Sequence, residues 1–503
     1  MKIKKLNLSQ FLNKDLLILL LIVVIGSFLR LQGVLTNSFA YTYDVGRDMI
    51  ALWNIVVNHD LMFIGATTGI QGVFYGPWWY YMLVPFFVIF RGDPTGIALT
   101  MSLVGISSII LSFLVGRKIG GNLLGFSLAV LVSVSPALIS LSSQIWNPNI
   151  APLFVLLTFY SLYKIYSLDK ISNKYFFILG ILLSINIDIE ILWGLLFTLG
   201  VVFSLILVLN KKIKIKQIIY LFLGALAVAS PRIVFELKHG FLMTKSFILF
   251  LTSKNSTEDP LTFMQVLEGR VFSFVDLFSS SLTFKNQLIA WIIIVLTLLS
   301  LILFYKKSSE VIKRFIVTLL TIVVVFFVGT VIFSRALWPH YLVGLPVVYI
   351  FLFAISLYLF SKKLNNFTVL VFAVIILSIF NFDPINQIKS ITSPVFEGNS
   401  AVYRNQLAVV DYVYREARGK DFKYVVYTPP VYDYTYRYLF TWYGPGKYKY
   451  SSSQEARTAF FIIEPDPGYE DRPKWWLKAR ENDGTIIKSA TVSGALVVQT
   501  RVH

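Results

Sequence analysis

Cysteine is absent from all 503 residues. That excludes a disulfide framework, a thiolate metal site and a cysteine nucleophile. Histidine is scarce: His59, His239, His340 and His503 are scattered, with no HExxH or comparable metal-ligand pair among them. Charge is the third shortage. Charged residues make up 14% of the chain, against about 25% in a soluble globular domain. No GxxxxGK[ST] loop and no Rossmann glycine fingerprint occurs, so no motif points to a nucleotide.

What is abundant is apolar. The chain is 56% hydrophobic and 16% aromatic, with a mean hydropathy of +0.70. A chain this long and this apolar cannot hide its surface in one soluble core, and lipid is the solvent that accepts it. The net charge of +18 does not indicate nucleic acid, because the basic residues fall in short clusters between apolar runs. The N-terminal MKIKKLNLSQFLNK is a long basic lead. The apolar run from Leu16 exceeds a signal-peptide core, and no small-residue cleavage site follows it.

A spanning helix needs ~20 mostly apolar residues. By that measure the sequence predicts about eleven transmembrane helices: 15–35, 94–116, 122–141, 150–167, 174–190, 191–210, 217–235, 286–305, 314–334, 341–360 and 365–381. Short cytoplasmic loops are rich in Lys and Arg. With the N-terminus cytoplasmic, the inner segments are the lead, Arg117-Lys118, Lys164–Lys174, the lysines of 211–216, Lys306–Arg314 and Lys362-Lys363. Each has at least two basic residues, and the outer turns at 142–149 and 188–191 have none. The run Tyr75–Arg91 carries Pro77, Pro85 and a dense aromatic cluster. It reads as an interfacial or re-entrant helix, since a further span there would invert the charge pattern.

The organisation that results is an α-helical polytopic membrane domain over 1–381, with outer loops 36–93 and 236–285, followed by an extracytoplasmic α/β domain over 382–503. In the latter, KYVVYT, TAFFIIE and GALVVQT read as strands and Asn405–Arg418 as a helix. Tyr434, Tyr438 and Trp442 recur at helical spacing, while Tyr432, Tyr434, Tyr436 and Tyr438 alternate as in a strand. Their rings suit either sugar stacking or packing on the membrane domain.

Acids near a membrane are costly, so their positions inform. Asp44 and Asp48 in YTYDVGRDMIALW share one helical face, with Arg47 between them. Asp44 follows the first span and is placed either to deprotonate an acceptor or to cap a helix. Together with a second carboxylate it has the chemistry of a divalent-ion ligand. Asn147 and Asn149 flank Pro148 in the next outer turn, as sugar-binding amides or as a polar turn. Asp188 and Glu190 stand where two spans meet. Outer basic residues oppose the charge rule: Arg232, and Arg335 close to His340 and Tyr341. They suit a lipid phosphate or snorkelling to headgroups.

These segments, in this order, resemble the GT-C class of polyprenyl-phosphate-dependent glycosyltransferases, the superfamily of protein O-mannosyltransferases and aminoarabinose transferases. The resemblance runs over roughly 15–360 through YDVGRDMI, YGPWWYYML, GRKIGG, SQIWNPNIAP, PRIVFELKHGF and RALWPHYLVGLP. It implies an inverting transferase that moves a hexose or pentose from a polyprenyl-phosphate donor to a protein, lipid or glycan acceptor at the outer face. Asp44 would be the catalytic carboxylate, with Asp48, Asn147, Asn149 and Glu190 near the acceptor. Arg232, Arg335, His340 and Tyr341 would meet the donor phosphate. No cofactor is implied beyond a divalent metal ion, and the metal ligands are left unassigned. Many relatives have Asp-Glu where this chain has Asp44-Val45, and an acid where it has Asn149. The rival readings are a flippase of lipid-linked glycans, a polysaccharide ligase or polymerase on another fold, and a receptor-like scaffold. Convergence of Asp44, Asn149 and Arg335 on one cavity is the expected mark of the transferase.

Overall fold

The computed structural model describes residues 14–168, 172–252, 262–282, 286–333, 335–381, 400–429 and 432–503. Lys2, Lys4 and Lys5 of the basic lead, and the start of the C-terminal domain at 382, lie outside them. Every predicted span contains a helix: α1 (Lys14–Leu35), α4 (Pro94–Gly120), α5 (Asn122–Val134) with α6 (Pro136–Ser142), α7 (Ala151–Ser167), α8 (Asn173–Ile189), α9 (Ile191–Leu209), α10 (Ile215–Lys238), α13 (Gln287–Phe304), α14 (Glu310–Phe333), α15 (Leu345–Lys363) and α16 (Thr368–Asn381). Eight of the described helices are long and apolar enough to cross a membrane singly, and α5 with α6 makes a ninth if the bent pair is counted as one span. The predicted spans at 174–190 and 365–381 correspond to shorter helices of 17 and 14 residues. The loop 36–93 holds α2 (Tyr43–Val56) and α3 (Trp78–Ile89). At 12 residues and ~1.5 Å per residue, α3 is too short to span. The loop 236–285 holds α11 (Leu242–Thr252) and α12 (Phe263–Leu282), and α12 packs against α13, α14 and α15.

Helix α15 is apolar on all sides (LPVVYIFLFAISLYLF) and accordingly sits at the centre, where most of its residues are buried. The span at α5–α6 breaks by 62° at Ser135-Pro136. Pro136 has no N–H, so the carbonyl of Val132 loses its helical donor, and the bend strands its neighbour Ser133 as well. Arg30 of α1, buried in the bundle, replaces both: Nη2 donates to Val132 O at 2.9 Å and Nη1 to Ser133 O at 2.8 Å. A buried cation thus closes a broken helix. Arg30→Leu leaves two carbonyls unsatisfied, and we expect a loss on the order of 2–5 kcal/mol. The check is a lowered thermal midpoint in detergent, with Arg30→Lys falling between leucine and wild type.

The C-terminal region forms a four-stranded sheet in the order β1-β2-β4-β3, with β1 (Phe422–Tyr427), β2 (Thr458–Ile463), β3 (Thr485–Thr491) and β4 (Val497–Val502). Parallel β1 and β2 pair Phe422 with Thr458, and β4 runs antiparallel to both β2 and β3. The helices are α17 (Tyr403–Ala417), α18 (Tyr434–Tyr448) between β1 and β2, and α19 (Asp471–Lys478). Strand β2 is covered on both faces. Phe460 and Ile462 join the main core, whereas Ala459, Phe461 and Ile463 pack with Tyr427 and Trp476. That is why its sequence is a continuous apolar run.

The ambiguous tyrosine stripe is a helix, α18, and two of its rings tie the sheet to the membrane domain. Tyr438 Oη donates to Gly92 O at 2.6 Å and Trp442 Nε1 to Arg91 O at 2.8 Å, both just past the end of α3. The N-terminus of α18 lies directly on α2: a Cβ on Gly46 would meet the Thr435 nitrogen at 2.4 Å. Only glycine allows this approach, and it places Asp44 and Asp48 under the C-terminal domain.

Candidate functional site

Four chain segments predicted to share one side meet at the domain end of the bundle. These are the loop of α2 and α3, the turn before α7, the α8–α9 junction and the segment before α15. The α2–α3 loop is clipped to the α8–α9 junction by Gly76, whose N–H donates to Asp188 O at 3.1 Å. The Asp188 carboxylate fills the place where a Gly76 side chain would begin, with Oδ2 at 1.7 Å from an added Cβ. Tyr75 Oη donates to Glu190 Oε2 at 2.6 Å. The turn before α7, a short 3-10 segment Asn147–Ile150, is held by its own amides. Asn147 Nδ2 donates to Ile189 O, and Asn149 Nδ2 donates to Gln144 O at 3.2 Å.

Asp44 lies in the first turn of α2 and Arg47 one turn on, at 2.6 Å between Nη1 and Oδ1. Arg47 also binds Asp48 at 2.8 Å. The two acids differ in surroundings. Asp48 is buried, and besides Arg47 it accepts from Trp79 Nε1 at 2.8 Å and Tyr80 Oη at 3.3 Å. It anchors α2 to α3. Asp44 keeps 21% of its side-chain surface exposed, into a cavity of about 430 Å³. Burial raises its pKa above the ordinary aspartate value, opposed in part by Arg47 and reinforced by Asp48. A carboxylate that is accessible, oriented and less acidic than usual has the properties of a general base.

The cavity lies between α2 and the C-terminal domain. Tyr41, Tyr43 and Asp44 line it from the first loop, Gln144 and Trp146 from the next turn, and Gln406, Tyr432 and Glu464 from the domain. Glu464 directly follows β2, is almost fully buried, and accepts from Tyr436 Oη at 3.1 Å and Gln406 Nε2 at 3.3 Å. Burial pushes its pKa up to about 7, against these two donors. Folding therefore takes up a proton on Glu464 between about pH 4.5 and pH 7. The associated stability is complete below that range and is lost as pH rises through 7. We expect wild type to lose on the order of 2–3 kcal/mol from this group between about pH 5 and pH 8. Glu464→Gln, which keeps both hydrogen bonds, flattens that slope; thermal unfolding of the solubilised chain across this range reads it.

The remaining candidates are placed as follows. The His340 ring stands 5.0 Å from Trp146 and 4.3 Å from Tyr341, edge-on to both, and Tyr341 is within electrostatic reach of Glu190. Asp44, Trp146, His340, Tyr341, Glu190 and Tyr75 thus form one polar-aromatic belt. Arg232 is outside it, paired at 2.6 Å with buried Asp188. Arg335 also stands apart, exposed, over the Phe250 ring at 4.0 Å and donating to Phe250 O at 3.2 Å. No carboxylate among the described residues pairs with it. Arg270 of α12 is buried and donates to the carbonyls of Thr330 and Arg335. Asn149 lines a separate small pocket with Arg30. Asp44, Asn149 and Arg335 do not line one cavity. Among the described residues no group of three His, Asp or Glu side chains is arranged to hold a metal ion. The donor set at Asp44 and Asp48 does not fit one, since a guanidinium already bridges the two carboxylates.

Glu464, Gln406 and Tyr41 escaped the sequence reading. The one signal was an acid closing the apolar run TAFFII.

No protein-family model matches this chain, and no curated protein does. Solved structures do. ArnT from Cupriavidus metallidurans in the apo state is similar over 97% of this chain and 98% of its own, with a TM-score of 0.61 at 10% identity. The same protein bound to undecaprenyl phosphate gives 0.56 at 12% identity, over 97% and 98%. An Archaeoglobus fulgidus oligosaccharyltransferase tethered to an acceptor peptide reaches 0.49 at 12% identity over 85% of this chain and 63% of that one, too little to carry an argument. The chain shares its fold with ArnT along nearly the whole length of both.

Proposed function

We propose that this protein is a membrane glycosyltransferase that moves a sugar from a polyprenyl-phosphate donor to an acceptor on the extracytoplasmic face, with inversion. The observation that carries the reading is the placement of Asp44, an accessible carboxylate of reduced acidity in the cavity where the first loop meets the C-terminal domain. The similarity to a protein bound to undecaprenyl phosphate supports the donor class.

In this mechanism Asp44 takes the proton of the acceptor hydroxyl or amine. The acceptor atom forms a bond to the anomeric carbon as the bond from that carbon to the phosphate oxygen breaks. The electron pair leaves with polyprenyl phosphate. Arg47 orients Asp44, as the geometry of their 2.6 Å contact permits. Arg335, His340 and Tyr341 are the groups proposed to meet the growing phosphate charge. Of these, His340 and Tyr341 stand in the belt with Asp44, while Arg335 stands apart from it and would have to approach the donor; Arg232 is already neutralised by Asp188. One displacement gives inversion, so NMR of the product should show the anomer opposite to that of the donor; retention would exclude direct attack.

The same proposal places the N-terminus in the cytoplasm and the C-terminal domain outside. The lack of cysteine makes this directly testable. A Ser489→Cys variant should react with an impermeant maleimide added to intact cells, and Ser309→Cys only after lysis.

A further inference from the structure

We infer that the cavity between α2 and the C-terminal domain is the acceptor site, and that it takes an uncharged, hydroxyl-bearing saccharide and excludes anionic acceptors. The inference rests on the transferase reading and adds the acceptor's chemical class to it.

The lining is unusual in its charge. Two carboxylates, Asp44 and Glu464, face the cavity, and no lysine or arginine among the described residues lines it. Arg47, next to Asp44 on α2, is engaged by Asp44 and Asp48. A phosphate or carboxylate group entering here would meet two acids and no compensating charge from the described lining. Burial leaves Glu464 available in both its protonated and ionised forms at neutral pH, so it can donate to or accept from a hydroxyl. Aromatic faces complete the pattern. Tyr43 and Tyr432 are stacked with ring centroids 6.5 Å apart, Tyr432 and Tyr434 are parallel at 5.4 Å, and Trp146 lies across the cavity lining. Carboxylates for hydroxyls and aromatic faces for C–H surfaces are the two complements of a neutral sugar ring.

The cavity, of about 430 Å³, is within the ~300–1,000 Å³ usual for small-molecule sites and has room for a sugar ring.

The test uses the full chain in lipid nanodiscs and ligand-observed saturation-transfer NMR. The probes are the neutral disaccharides maltose and cellobiose, with glucose 6-phosphate as the anion. The expected result is binding of a neutral disaccharide, with glucose 6-phosphate silent. Tyr432→Ala, at an exposed side chain whose loss does not threaten folding, should weaken the neutral probe roughly tenfold, as should Glu464→Leu. Equal or tighter binding of the anion overturns the inference. So does binding that neither substitution changes, or failure of both neutral probes to bind at millimolar concentration. This readout needs no turnover. A wild type that binds the neutral probe but consumes no polyprenyl-phosphate sugar would sink the transferase reading instead.

Discussion

Replacing Asp44 by Asn should reduce sugar transfer by roughly 10²–10⁴-fold, the range for loss of a positioned general base, while leaving the protein folded. The expectation of a folded variant comes from the division of labour on α2. Asp48 holds α2 through Arg47, Trp79 and Tyr80, and Gly46 sets the approach of α18. Asp44 contributes only its contact with Arg47 and its position at the helix N-terminus. An asparagine can keep a hydrogen bond to Arg47 but cannot take a proton. The pH dependence has a fixed sign. The base works ionised, and burial raises its pKa. The rate of wild type should therefore fall as pH drops, beginning above the ordinary aspartate range, and the residual rate of Asp44→Asn should lack that limb. An unchanged rate in the variant would remove Asp44 from the reaction.

The second large effect concerns stability. Arg232→Leu should destabilise the protein by about 3–5 kcal/mol, because it strands the Asp188 carboxylate, whose side chain is wholly buried against Gly76. The double variant Asp188→Asn/Arg232→Leu should recover most of that loss, since the uncompensated charge is gone. The pair also separates structure from chemistry. Arg232 was a candidate for the donor phosphate from sequence, yet its partner in the structure is Asp188. Transfer activity should follow stability, low in the single variant and largely restored in the double one. A double variant that is stable but inactive would return Arg232 to the donor site. Thermal midpoints and transfer rates measured on the same detergent preparations decide between these.

The membrane fold was legible because its signal is physical and local: each span must present a long apolar surface to lipid. Helix α12 was not legible, since Glu268, Arg270 and Asp276 lower its hydropathy although one face is buried in the bundle. Strand β3 was missed for the opposite reason. As an edge strand exposed along nearly its whole length, it carries no burial pattern to detect. In the site, Asp44 could be picked out because a lone acid just after a span demands a reason. The roles of Asn147 and Asn149 could not, because an amide that binds a carbonyl of its own chain has the same sequence as one that binds a sugar. Glu464 and Gln406 reach Asp44 only through the packing of α18 on α2, a contact between distant parts of the chain that no local pattern encodes.

The most direct measurement is single-turnover consumption of radiolabelled polyprenyl-phosphate sugars by the purified protein in proteoliposomes, with envelope extract as acceptor. The account predicts that at least one donor is converted to free polyprenyl phosphate, with label passing to the acceptor. Intact donors throughout the panel, together with lipid-linked saccharide crossing the bilayer, would contradict it and establish a flippase.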